Sequence, residues 1–196
     1  MSHIVDYEKV FLPNFTDTMK TPEGETLTIH FETMPVGTLD LQQKTMLDIH
    51  GVLFPSEHLS IQFCPIDIAV MKHAIFGVRV ACVRIRCKET APVRWELAKG
   101  FFPTRPDHMM HEVRVDSGSL QIAHPNFQET AQSKDDFEAS LTVEQEHEFW
   151  SKSSMDGYEA FDIKTAYGDG TYMVYAGYDD AGVVCRLVCD FVNMER

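Results

Sequence analysis

From Leu27 onward, apolar and polar residues alternate along much of this chain, which is the period that β-strands require. Leu27, Ile29 and Phe31 occupy every second position in the first such stretch. Further short alternating stretches follow through Leu39 and the segment 46–54. The pattern predicts a succession of short strands.

The clearest predicted hairpin covers residues 61–87. Its second half alternates through Val78, Val80 and Cys82, and then changes phase at Val83. Because side chains on a strand repeat every two residues, a one-residue change of phase predicts a β-bulge or a strand that exchanges faces. The arginines of this half, at 79, 84 and 86, are predicted to form structural salt bridges.

Two stretches favour helices. Pro92 and Gly100 bracket a segment with start and stop residues typical of a short helix, near 92–99. Phe137, Leu141, Glu144 and Glu148, which stand three or four residues apart, predict helical segments near 125–150. Three strands then close the chain, at 161–165, 171–178 and 183–191. The whole pattern predicts an α+β fold, mainly an antiparallel sheet or sandwich, with an amino-terminal arm (1–26) and a single β-rich domain (27–196).

Composition narrows the class of protein. The chain has 196 residues, 44% of them hydrophobic, which is enough to build a sizeable core. It contains no apolar run long enough to span a bilayer and no signal-peptide pattern, so we expect a cytoplasmic protein. Its five cysteines form no Cys-x-x-Cys pair and are expected to be buried thiols. A net charge of −13 disfavours binding to nucleic acid or to an anionic membrane and favours a basic partner.

One segment concentrates this charge. Between residues 135 and 148 there are six acids and no lysine or arginine: Asp135, Asp136, Glu138, Glu144, Glu146 and Glu148. Two interpretations stay open. The segment is either a solvated face or a surface that binds a basic protein.

The chain contains two partial matches to enzyme or metal-site motifs and one glycine-flanked aspartate. Asp48 lies in a stretch that resembles the dehalogenase signature, but His50 stands where that signature needs a second aspartate. His108 and His111 have no third ligand at convincing spacing, so we predict neither a metal nor a cofactor. Asp169 lies between Gly168 and Gly170, a combination typical of a turn.

The carboxyl-terminal residues carry a family resemblance. Gly168-Asp169-Gly170, the tyrosines and glycines that follow, and Asp190-Phe191 resemble the closing signature of the bacterial domain-of-unknown-function family 4241. Gly37, Cys64-Pro65-Ile66, the segment 94–98 and Val115-Asp116-Ser117-Gly118 resemble its earlier elements in the expected order. The resemblance covers about Val36 to Phe191. It implies an architecture and no activity.

These observations lead to two functional hypotheses. The first is an interaction protein, namely an immunity protein that neutralises a basic toxin through the acidic segment, with carboxylates steering the partner. The alternative is a hydrolase, or a small-ligand or metal-binding domain, built on Asp116, Asp169 and Asp190. Asp48 and Arg84 are candidate companions of these aspartates. The sequence leaves the oligomeric state open.

Overall fold

The fold consists almost entirely of strands. The computed structural model describes residues 6–20, 24, 26–42, 44, 46–55, 62–73, 77–127 and 141–193. Within these ranges, one short 3-10 helix (Tyr7–Phe11) is followed by sixteen strands. In chain order these are β1 (Thr16–Lys20), β2 (Thr26–Asp40), β3 (Met46–Ile49), β4 (Val52–Pro55), β5 (Phe63–His73), β6 (Gly77–Arg86), β7 (Arg94–Leu97), β8 (Gly100–Phe102), β9 (Arg105–Met110), β10 (Glu112–Val115), β11 (Ser119–Ala123), β12 (Thr142–Glu146), β13 (Trp150–Met155), β14 (Tyr158–Lys164), β15 (Gly170–Tyr178) and β16 (Val184–Asp190).

The strands form two antiparallel sheets. The first sheet has the order β1-β2-β5-β6-β16-β15-β10. Strand β10 pairs with the first half of β15, and β7 pairs with its second half. The second sheet has the order β12-β13-β14-β11-β3-β4-β8-β9. One hydrophobic cluster draws residues from both sheets, including Ile66 and Val83 of the first and Ile122 and Phe161 of the second. The predicted mainly antiparallel β architecture is therefore confirmed.

The predicted hairpin in 61–87 is also confirmed, as β5 and β6. Its register changes where Ala69 pairs with Cys82 but Val70 pairs with Val80, which leaves Ala81 as the extra residue. The bulge lies within two residues of the predicted change of phase at Val83. Residues 80 to 83 are all buried, as are residues 66 to 71 of β5, so this part of the hairpin is covered on both faces.

The helix predicted near 92–99 is wrong, because this segment contains strand β7. Val93 N donates to Tyr178 O at 2.7 Å, and β7 pairs with β15 along the edge of the first sheet. The Trp95 ring packs edge-on against Tyr7, with centroids 5.3 Å apart. Pairing and burial of these rings outweigh a local helical preference that is worth only fractions of a kcal/mol per residue.

The helical segments predicted near 125–150 are not supported either. Residues 125–127 form a turn, and strand β12 and the start of β13 occupy 142–146 and 150. Residues 128–140 lie outside the described ranges. The spacing of three to four rested partly on Glu144, which lies in β12, and on Glu148, which lies in the turn between β12 and β13. Across the described chain, no helix has the length and apolarity needed to cross a membrane.

The described part of the predicted arm packs into the core. Asp6 caps the short helix by accepting from Glu8 N, and Tyr7, Val10 and Phe11 are buried. Strand β1 then pairs with β2 in the first sheet. Residues 6–20 therefore form part of the same packed structure as the residues that follow.

A close approach between the sheets depends on one glycine. Gly37 follows a register shift in β2, and a Cβ added there would lie 2.7 Å from Cε1 of Phe161 in the second sheet. Only a residue without a side chain allows the two sheets to approach this closely.

Candidate functional site

The described part of the acidic segment is an edge strand. Strand β12 ends the second sheet, and all five of its residues are exposed. It pairs with β13 through a bulge, since Val143 faces Ser153 but Gln145 faces Lys152. Asp135, Asp136 and Glu138 lie outside the described residues, so the structure does not place them.

Backbone alternation shows which groups of β12 face outward. His147 N donates to Trp150 O at 2.7 Å and closes the hairpin to β13. In an antiparallel pair, successive residues alternate between facing the partner and facing away. The N–H and C=O groups of Glu146 therefore point away from β13.

The three described acids of the segment differ in their surroundings. Glu144 pairs with Lys152 at 2.8 Å, and Lys152 also contacts Glu159 at 2.5 Å. Hydrogen bonds from Lys152 and Ser154 lower the pKa of Glu144. Glu146 and Glu148 have no ion pair within the described chain. The charge of this edge is thus only partly neutralised.

The structure brings two of the three candidate aspartates together. Asp116 and Asp169 both line a groove of about 720 Å³, in a wall that also carries Glu112 and Arg114. The groove lies between β10, the start of β15 and residues of β8 and β9. Its volume falls within the range typical of small-molecule sites.

Asp169 also has a structural role in this groove. Its Oδ1 accepts from Gly118 N at 3.0 Å, which ties the turn before β15 to the turn after β10. Gly168 has a φ of +82°, and its carbonyl accepts from Thr165 Oγ1 at 2.6 Å and from Tyr172 Oη at 2.7 Å. The turn predicted at Gly168-Asp169-Gly170 is present and is held by side-chain hydroxyls.

Asp190 does not join Asp116 and Asp169. It is buried in the first sheet, where it accepts from Tyr7 Oη at 2.8 Å and from Val192 N at 3.0 Å. Burial and the Asp190 carboxylate both raise the pKa of Tyr7 far above its ordinary value. Asp190 pairs with Met173 within β15, whereas Asp169 lies in the turn before that strand, so the structure places Asp190 apart from the other two aspartates.

Asp48 and His50 form a tight hairpin between β3 and β4. His50 and Gly51 both have positive φ, and Asp48 Oδ1 accepts from Gly51 N at 2.7 Å. Burial raises the pKa of Asp48 to about 6. Burial lowers the pKa of His50, whose Nδ1 accepts from Gln121 N at 3.3 Å. Asp48 therefore holds a turn, and it does not line the groove of Asp116.

Arg84 belongs to a charged network on the first sheet. Its guanidinium donates to Asp67 at 2.8 Å and to both carboxylate oxygens of Glu8 at 3.3 Å, and it lies 4.1 Å from the Phe11 ring centroid. Glu8 also accepts from Arg186 Nε at 3.1 Å. The predicted salt bridges of Arg84 and Arg86 are confirmed.

Sequence reasoning missed Glu8, Asp67 and Arg186 as members of this network. One signal was available for the first of them. Tyr7, Val10 and Phe11 have the spacing of a buried helical turn, and Asp6 precedes them as a capping residue.

The described residues contain no group of three histidine, cysteine or acidic side chains placed to hold a metal ion.

All five cysteines are buried and free of disulfides, as expected. Cys64 and Cys87 contact each other: a hydrogen bond between the two thiols lowers the pKa of Cys64 and raises that of Cys87.

The comparison with family models assigns the chain to a family. Residues 54–189 match the model described as "Protein of unknown function (DUF4241)". This match covers more than half of the chain, which therefore belongs to that family, as the sequence resemblance predicted. No curated protein and no solved structure matches the chain.

Proposed function

We propose that this chain is an interaction protein, an immunity protein that binds and neutralises a basic toxin through the acidic edge of its second sheet. The observation that carries the proposal is the exposure of the whole of β12 together with Glu146 and Glu148, which have no ion pair within the described chain. The cytoplasmic location is part of the same proposal.

The electrostatics support a basic partner. The chain carries a net charge of −13. Exposed carboxylates raise the rate at which a basic protein encounters the surface, and this effect falls as ionic strength rises. Because Lys152 neutralises Glu144 in part, the carboxylates of Glu146 and Glu148 supply most of the attraction at this end of β12.

The backbone supports a defined mode of contact. An edge strand offers unpaired N–H and C=O groups to a partner, and here Glu146 presents both. A second copy of this chain would bring glutamates against glutamates. The charge and the bulge therefore oppose pairing between copies and favour a cationic partner.

The test is a neutralisation assay. The product of the gene that neighbours this one is expressed in a bacterial host with this chain, with Glu146→Lys/Glu148→Lys, or with a control, Glu89→Lys/Asp107→Lys. The control makes the same change of charge at exposed positions away from β12. We expect growth to be protected by the wild type and by the control, and lost with the double variant.

Binding of the purified proteins is then measured at about 25 and 250 mM NaCl. Affinity for the wild type should fall steeply with salt, and the double variant should bind more weakly at low salt. Equal protection by all three chains would contradict the assignment of the surface. A neighbouring product that is not toxic and does not bind would contradict the function.

The groove of Asp116 and Asp169 supports a second candidate function, a hydrolase or small-ligand binder. The carboxylates of Asp116 and Asp169, together with Arg114 in the same groove, can hold a polar ligand, and paired carboxylates can act as acid and base. Asp116→Asn and Asp169→Asn are the tests, because asparagine keeps an oxygen that can accept from Gly118 N. Retention of a metal or ligand on purification that both variants lose would favour this function.

A further inference from the structure

Two arginines stand directly opposite each other in the centre of the first sheet. Arg86 of β6 and Arg186 of β16 are cross-strand partners. Directly opposite side chains have Cβ atoms about 4.5–5.5 Å apart, and like charges in such pairs destabilise a sheet. The pair therefore needs negative charge nearby.

The protein supplies less negative charge than the cluster contains positive charge. Arg84 and Lys88 flank Arg86 along the chain, so four cations lie together. Three carboxylates face them: Asp67 pairs with Arg84 and Arg86, Glu8 with Arg84 and Arg186, and Asp179 with Lys88. One positive charge stays unmatched, in a protein whose net charge is strongly negative.

Arg86 is the cation with spare donors. Its Nε lies 3.2 Å from Asp67 Oδ2 but makes no hydrogen bond within the described chain. That same oxygen already accepts from Nη2 and Nε of Arg84. No described residue accepts a hydrogen bond from either Nη of Arg86, whose side chain is 34% exposed.

The Arg186 side chain, which stands opposite Arg86, is held in one position by burial and hydrogen bonds. Its side chain is 7% exposed, and its Nε donates to Glu8 Oε1 at 3.1 Å. Its Nη1 donates to the backbone carbonyls of Lys88 and Cys185. An arginine held at two points loses little further freedom when a ligand binds.

We propose that Arg86 and Arg186 form a binding site for a small oxyanion, with Lys88 at its rim. The planar guanidinium of Arg86 offers two parallel N–H groups to two oxygens of one ligand, the geometry that phosphate and carboxylate groups accept. The bound anion supplies the missing negative charge between the cross-strand pair. The site lies on the first sheet and is independent of the acidic edge.

The experiment follows thermal unfolding of the full chain in buffers of constant ionic strength. Sodium phosphate replaces sodium chloride in one arm, and sodium acetate replaces it in the other. The chains are the wild type, Arg86→Gln, and Arg105→Gln, which removes an exposed arginine at the edge of the second sheet. Arg86→Gln keeps the Arg84–Asp67 pair intact.

For the wild type and Arg105→Gln we expect a saturable rise in Tm, about 2–4 °C when the anion reaches roughly fivefold its Kd. Arg86→Gln should lose this rise. A response to phosphate alone assigns the site to tetrahedral anions, and a response to acetate assigns it to carboxylates. Equal shifts in all three chains, or no shift in any of them, would overturn the proposal.

Discussion

Tyr7 donates a 2.8 Å hydrogen bond to the carboxylate of Asp190, a residue 183 positions further along the chain. Both side chains are buried, and the Tyr7 ring also packs against Tyr175 with centroids 4.9 Å apart. The contact fixes the amino-terminal helix onto β15 and β16 of the first sheet.

Removing the Tyr7 hydroxyl should therefore destabilise the protein. Tyr7→Phe keeps the ring and leaves a buried carboxylate with one donor fewer, which costs about 1–3 kcal/mol. Urea unfolding measures the change in the free energy of unfolding. Tyr167→Phe, at a tyrosine that is 56% exposed, should change it by less than about 0.5 kcal/mol. Equal effects of the two substitutions would contradict the structural role of the contact.

Asp48→Asn should stabilise the protein at neutral pH. The folded-state pKa of about 6 exceeds the ordinary value of 3.8, so the stability that Asp48 contributes is fully present below the ordinary value and is lost as pH rises through the folded value. At about pH 7 the buried charge is a cost. Asparagine keeps the acceptor for Gly51 N and removes the charge, for a gain of about 1–3 kcal/mol.

The gain should shrink as pH falls towards about 4, where Asp48 itself is neutral. Urea unfolding of both chains across this range measures the difference. A gain that does not change with pH would show that burial of the charge is not its cause.

Glu8→Gln should weaken the junction of the amino-terminal helix with the first sheet. Glu8 faces both Arg84 and Arg186, and the loss of its charge leaves two largely buried arginines with less compensation. Because Glu8 is itself 27% exposed, we expect a cost of about 1–2 kcal/mol. The matched control is Glu32→Gln, which removes the exposed pair with Lys72 and should cost less than about 1 kcal/mol.

Gly37→Ala tests the close approach of the two sheets. The added methyl group would lie 2.7 Å from the buried Phe161 ring, and relieving such a contact typically costs about 1–3 kcal/mol. Thr38→Ala at the next, exposed position is the control and should change stability by less than about 0.5 kcal/mol. If Gly37→Ala is as mild as its control, the sheets have room to separate.

The sequence predicted strands well where apolar residues alternate along the chain. The hairpin of β5 and β6 and the three closing strands were predictable because apolar residues such as Ile66 and Ile68 repeat every second position. Family resemblance and turn chemistry also identified the Gly168-Asp169-Gly170 turn.

Strand β7 and the groove could not be predicted, because both depend on contacts between residues far apart in the chain. Trp95 lies in a strand because its ring packs against Tyr7 and its backbone pairs with β15. Neither contact can be predicted from the residues near position 95. The groove of Asp116 and Asp169 also depends on contacts between residues far apart in the chain. Asp116 and Asp169 come together only because β10 pairs with the start of β15, whereas Asp190, on the next strand, faces Tyr7.

Strand order in the first sheet has a consequence for synthesis of the protein. Strand β16 comes last among the described strands, yet it lies between β6 and β15 at the centre of the sheet. Until residues 184–190 leave the ribosome, β6 has an unfilled edge and Tyr7 has no Asp190 to bind. We therefore expect the nascent chain to reach its stable form only after β16 has been made, and to rely until then on chaperones that cover exposed strand edges.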